Sequence, residues 1–167
     1  SGSSVNTLAV GSDALLRIEL IGTSAGASAD GLTLGSGSNG STIRGLIING
    51  FGDAGIQVSN SDNHTIVGNF FGTNTAGTSG IANRYGVYLS GSNGTTIGGT
   101  SIADRNLISG NSDIGVYING GGTNNLWGNL VGTNAAGTSA VANGTGLYIQ
   151  DSGNNRVGGT LAGAGNL

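Results

Sequence analysis

The amino-acid sequence predicts an all-β chain, a single-stranded parallel β-helix (β-solenoid) of about six coils with three short strands in each. Three observations predict it. A phrase of 39 residues is written twice, starting at Asn69 and again at Asn129. A shorter signature of glycine, apolar, any residue, apolar recurs along the chain. The apolar residues, 36% of the total, fall at fixed places in a background rich in Gly, Ser, Thr and Asn, which is not the scatter expected of disorder.

Residues 69–107 and 129–167 agree at 18 of 39 positions, including "GTN", "AGTS", "AN", "GGT" and the final "NL". A fixed period is the mark of stacked units. The smaller unit is set by the signature, which reads "GLTL" at 31, "GIQV" at 55, "GVYL" at 86, "GVYI" at 115 and "GLYI" at 146, in steps of 24, 31, 29 and 31 residues. A polar turn and a second apolar stretch follow each time: "STIRG" at 41, "HTIVGN" at 64, "TTIGG" at 95, "NNLWGN" at 124 and "NRVGG" at 155. A third stretch closes the unit: "LIING" at 46, "FFGTN" at 70, "NLISGN" at 106 and "LVGTN" at 130.

The unequal steps are corner insertions. The 31-residue units carry "TAGTSGIANRY" and "AAGTSAVANGT" after the third stretch, and the 29-residue unit carries "GTSIADR" between the second and third. Lengthening a loop costs little and leaves the strands in register. The sixty-residue phrase is therefore two coils with alternating corner loops.

Side-chain alternation assigns the faces. Leu32, Ile56, Val87, Val116 and Leu147 form one inward column, and Leu34, Val58, Leu89, Ile118 and Ile149 the next. Ile43, Ile66, Ile97, Leu126 and Val157 form a third, from the second strand. Each buried aliphatic is worth roughly 1.5–3 kcal/mol. Glycine supplies positive φ at corners. Asn39, Asn63, Asn93, Asn124 and Asn154, near the turns, suit left-handed corners and are expected to bond one another in an Asn ladder. The absence of proline fits strands flanked on both sides. No stretch shows a helical period, and a sandwich or propeller would not give columns in register.

Composition narrows function. The chain has no lysine and five arginines, only 8% charged residues and a net charge of −3. That excludes the basic surface wanted by nucleic acid or an anionic membrane. No apolar run of about 18 residues is present for membrane insertion, no signal peptide is visible, and without cysteine there are no disulfides to report on the compartment. A chain that opens at Ser1 without Met is expected to be processed or partial.

The string "STIRGLIING…GIQV…HTIVGNFFGTN…AGT…GVYLSGSNGTTIGGT…RNLISGN" resembles the right-handed parallel β-helix repeats of large bacterial secreted and cell-surface proteins, of the pectate-lyase-like superfamily. The resemblance covers residues 15–167. The family's Ile-Gly-Thr-acid-Ala-Gly-Thr phrase stands here as "FGTNTAGT" and "VGTNAAGT", with Asn74 and Asn134 where Asp is more usual. The resemblance implies a right hand, which is also the default for parallel crossovers, and an extracellular or cell-surface location. It also brings polysaccharide-cleaving enzymes into consideration, but function belongs to sites and not to folds.

Such chemistry needs two carboxylates about 5–10 Å apart, or Asp-bound calcium beside an arginine base. Asp53 and Asp113 occupy equivalent corners two coils apart, with Arg84 at the corner between. The trio reads either as a catalytic pair with an intervening Arg or as a self-neutralising charge ladder, and we favour the ladder. The family's paired-Asp and Gly-His-Gly enzyme motifs do not occur. His64, the one histidine, lies beside Asp62 and reads as a solvated turn residue. No catalytic residue, metal site or cofactor is assigned.

The best ligand surface is aromatic. Tyr88, Tyr117 and Tyr148 share an outward column with Thr33 and Gln57, and Ser59, Ser90, Asn119 and Gln150 follow two residues on. Tyr88, Tyr117, Tyr148, Gln57, Asn119 and Gln150 would suit a polysaccharide, rings stacking and amides bonding hydroxyls; in the family this face often carries polysaccharide. The competing reading, which we favour, is a cross-strand aromatic ladder that stabilises the sheet, or a surface for a neighbouring chain. Thr42, Thr65 and Thr96 align as an ice-binding row would, but the row runs into Asn125 and Arg156.

Both ends are expected to be open. "TLAV" and "LLRIELIG" read as the second and third strands of a coil that lacks its first, and the chain closes on "AGAGNL" where the family continues. We therefore expect one β-helix domain over 1–167, a piece or subunit of a longer array. Its expected role is a non-catalytic extracellular scaffold whose open ends associate head to tail. The alternative is a carbohydrate-binding or polysaccharide-cleaving module using the tyrosine face.

Overall fold

The computed structural model describes residues 2–167 and winds them into five coils. The first coil carries β1 (Ile18–Ile21), β2 (Leu32–Leu34) and β3 (Thr42–Arg44). The second carries β4 (Leu46–Asn49), β5 (Ala54–Ser59) and β6 (Thr65–Val67). The third carries β7 (Phe70–Phe71), β8 (Tyr85–Ser90) and β9 (Thr96–Gly98). The fourth carries β10 (Leu107–Ile108), β11 (Ile114–Asn119) and β12 (Asn125–Trp127), and the fifth β13 (Leu130–Val131), β14 (Thr145–Gln150) and β15 (Arg156–Val157). The expected count of about six is corrected to five. The N-terminal "TLAV" makes no strand, and Asn166–Leu167 only begins a further turn, through Leu167 N–H to Asn129 O at 2.9 Å.

Three parallel sheets of five strands result: β1-β4-β7-β10-β13, β2-β5-β8-β11-β14 and β3-β6-β9-β12-β15, here sheets I, II and III. The expected columns are in register, Leu32 on Ile56, Val87, Val116 and Leu147, and Ile43 on Ile66, Ile97, Leu126 and Val157. They fill the interior together with Ile48, Phe71 and Ile108 from sheet I. Coils one, three and five have long loops after their sheet I strand (22–31, 72–84 and 132–144), and coils two and four have short ones. The long loops touch across the short coil between them, Ala135 N–H donating to Gly77 O at 2.8 Å.

The middle strands of sheet I, β4, β7 and β10, are buried on both faces, because each has two adjacent large apolar residues. Ile48, Phe71 and Ile108 point inward, while Ile47, Phe70, Leu107 and Leu130 point outward and are still buried. Ala14 and Leu16 of the N-terminal segment, with Ala135, cover that outer column.

The Asn ladders exist, on positions other than most of those expected. Asn69, Asn106, Asn129 and Asn166 form one, with Asn106 Nδ2 donating to Asn129 Oδ1 at 2.9 Å. Asn83, Asn111 and Asn143 form a second, and Asn124 and Asn155 a third. Of the expected set only Asn124 belongs to a ladder; Asn63 and Asn154 serve instead as positive-φ corners. The ladder positions precede a strand and point inward. There the amide satisfies backbone groups that the bend takes out of the sheet.

Candidate functional site

His64 is corrected by the same geometry. It is 1% exposed and takes the ladder position ahead of β6, in the column continued by Thr95, Asn124 and Asn155. Its Nδ1 accepts from Ser41 N–H at 3.2 Å, as Asn124 Oδ1 accepts from Thr95 N–H at 2.9 Å. Nε2 then carries the proton and donates to Ser61 Oγ at 3.0 Å, which donates to Asn39 Oδ1 at 2.8 Å. Burial lowers its pKa below the usual imidazole value, partly opposed by Asp62. A buried, fully hydrogen-bonded imidazole is a structural residue here and not a solvated one.

The outward column of sheet II is as expected: Thr33, Gln57, Tyr88, Tyr117 and Tyr148 are direct neighbours, as are Ser90, Asn119 and Gln150. Tyr88 and Tyr117 stack with ring centroids 4.8 Å apart and planes 7° from parallel. Tyr117 meets Tyr148 at 5.4 Å and 34°, and its hydroxyl donates to Gln150 Oε1 at 2.9 Å. Burial raises the pKa of the Tyr117 phenol, and the neighbouring phenols add to the rise. Tyr148, 46% exposed, is the most open ring of the three.

Tyr85 joins this surface although strict alternation would turn it inward. A Cβ on Gly86 would meet Gly115 O at 2.5 Å and Ile108 Cγ2 at 2.9 Å, so this glycine points into the core beside Val87. Two successive inward residues put Tyr85 and Tyr88 on the same side, 5.5 Å apart between ring centroids. The signal was the glycine shared by "GIQV", "GVYL", "GVYI" and "GLYI" at 55, 86, 115 and 146.

The charged corner lies along the edge of this surface. Arg84 lies between two carboxylates, Nη1 to Asp53 Oδ1 and Nε to Asp113 Oδ2, each at 3.6 Å. Its guanidinium carbon also stands 4.6 Å from the Tyr85 ring centroid. Asp30 is tied to the sheet by Ala54 N–H at 2.9 Å and Thr33 Oγ1 at 3.2 Å. Asp53 Oδ1 is buried without a hydrogen-bond donor. Burial pushes its pKa up, Asp30 adds to the rise and Arg84 opposes it. Among the described residues no group of three His, Cys, Asp or Glu side chains could hold a metal ion, and no helix is long and apolar enough to cross a membrane.

The two ends expose the core. Ile149 is 37% exposed, Val157 52% and Leu167 54%, although the first two continue buried columns. Val157 and Leu167, with Val116, Val131 and Leu147, surround an apolar hollow at the end of coil five. At the other end Ile18 and Ile21 are exposed, and Leu20, Leu32, Leu34 and Ile43 are half-buried. Searches against protein-family models, curated proteins and solved structures found no match to this chain.

Proposed function

We propose that this chain is a non-catalytic structural scaffold of the cell surface or extracellular space, and that its open end coils associate head to tail with copies of itself. The observation that carries the proposal is the exposed core at the first and the fifth coil. The first coil presents the outer edges of all three parallel sheets, the fifth those of sheets II and III, and each an open apolar column; such edges are templates for further strands. A contact between unlike ends is heterologous and propagates into a filament. The likeness of the repeats to bacterial surface β-helices of the pectate-lyase-like superfamily supports the location. Asn166 and Leu167 stand where β1 of an incoming copy would pair, so stacking requires these two residues to move aside. Negative-stain electron microscopy over a concentration series tests the proposal. Filaments of uniform width are expected; single short rods at every concentration overturn it.

A second reading, polysaccharide binding or cleavage at the tyrosine face, draws support from the open ring of Tyr148 beside Gln150 and from the raised pKa of Asp53 next to Arg84. Against it, Tyr88 and Tyr117 turn their faces to each other, leaving mainly ring edges for a sugar. Binding to a panel of acidic and neutral polysaccharides, lost in Tyr148→Ala, would establish it.

A further inference from the structure

Residues 4–15 form a narrow loop on the outside of sheet I. Ser4 and Leu15 exchange both backbone hydrogen bonds, at 2.9 and 3.0 Å. Asn6 is buried at the centre of the turn, where its Oδ1 accepts from Leu8 N–H and Asp13 N–H and its Nδ2 donates to Leu8 O and Gly11 O. Asp13 closes the turn by accepting from the Thr7 amide at 2.7 Å and the Thr7 hydroxyl at 2.6 Å, and these bonds hold its carboxyl below the usual range.

The two parts of this segment attach to opposite ends of the solenoid. Its base runs directly into β1 in coil one. Its tip docks on the last coils: Ser12 N–H donates to Ala135 O at 2.6 Å, and a Cβ on Gly11 would meet Ala136 O at 2.6 Å. Asn6 Nδ2 reaches Ile102 O at 3.0 Å. Arg105 holds the tip from the coil side, with Nη1 donating to Gly11 O at 2.7 Å and Ala9 O at 3.2 Å and Nε donating to Gly128 O at 3.0 Å. It makes no ion pair with an acid among the described residues, so these carbonyls are its compensation for being half-buried.

A solenoid ordinarily has contacts only between neighbouring coils, so its ends fray independently. Here the Ser12–Ala135 bond joins the segment leading into coil one to the long loop of coil five, and contacts 94 and 96 residues apart in sequence tie it to the connection between coils three and four.

We infer that residues 2–16 are a clasp that couples the opening of the first coil to that of the last. The clasp also seals the apolar outer column of sheet I, leaving the two ends as the open edges. Releasing the tip therefore loosens β1, which the tip does not touch, together with β13 and β14.

The test is native-state amide hydrogen exchange on the whole chain carrying Gly11→Val or Asn6→Ala. Both substitutions lie in the clasp and leave the interior columns intact. The expected result is a tenfold or greater acceleration at Leu20 and Ile21 and, in the same variants, at Leu130, Val131 and the amides of β14. Ile56–Val58 and Val87–Leu89 in the middle coils should keep their protection. Acceleration confined to residues 2–16, or at the fifth coil without the first, overturns the inference.

Discussion

Tyr88 and Tyr117 stack face to face across neighbouring coils, 4.8 Å apart and 7° from parallel. The spacing is that of the strands beneath them, so strand register accounts for the stacking. Such pairs contribute about 0.5–1.5 kcal/mol beyond the area they bury. Tyr117 sits between Tyr88 and Tyr148 and also touches Tyr85. Tyr117→Ala is expected to lower unfolding stability by about 2 kcal/mol, and Tyr148→Ala by less. Denaturant unfolding of the two variants measures this, and an equal or larger loss for Tyr148→Ala would contradict the ladder.

The Asn106 amide is buried and makes hydrogen bonds to Ile66 O, Asn129 and both amide groups of Asn69. Asn106→Ala strands several of these groups in the interior, at about 1–3 kcal/mol each. A loss of about 3 kcal/mol is expected. Asn106→Asp should be worse at neutral pH, because it replaces the donor by a buried charge. Thermal melts of both variants give the order, and a more stable Asp variant would refute it.

His64 predicts a pH dependence of definite sign. Its folded pKa is lowered by burial, so below the ordinary value of 6.5 the unfolded chain takes up the proton first. Stability from this residue is complete above pH 6.5 and declines as the pH falls below it toward the lowered folded value. His64→Asn places an amide oxygen where Nδ1 accepts from Ser41 and should remove this part of the slope while preserving the fold. Equilibrium unfolding between pH 5 and 8 measures it. A slope unchanged by His64→Asn would show that other groups produce it.

Gly86 has no room for a side chain. Gly86→Ala puts a methyl group 2.5 Å from Gly115 O and 3.0 Å from Asn111 Nδ2. The expected cost is about 1–3 kcal/mol, as for other overpacked cores. Because the contact is with backbone of the next coil, the near-ultraviolet circular dichroism of the tyrosine ladder should change as well.

Arg84 lowers the Asp53 pKa against burial and Asp30. Arg84→Gln should therefore move the Asp53 titration further up when followed by carboxyl NMR. Both ion pairs are partly exposed at 3.6 Å, so the stability change is expected to stay within about 1 kcal/mol.

Much of this molecule was legible in its residues. Fifteen strands, their order, their parallel register and three inward columns all follow from a period of two within strands and a recurring glycine signature between coils. The Asp53-Arg84-Asp113 ladder and the tyrosine column were legible for the same reason, since residues at equal places in successive coils must be neighbours. These relations are local or nearest-neighbour, and a repeat states them several times over.

The tertiary structure decided what the repeat does not contain. Burial of His64 depends on the direction of one corner, where imidazole replaces an amide in a ladder. Tyr85 reaches the tyrosine surface through a glycine that breaks alternation. The outer column of sheet I could be predicted to need a cover from its paired apolar residues, but nothing periodic says that residues 2–16 provide it. That contact joins groups 96 residues apart, has no second copy in the chain, and forms only when the intervening coils have brought its two sides together.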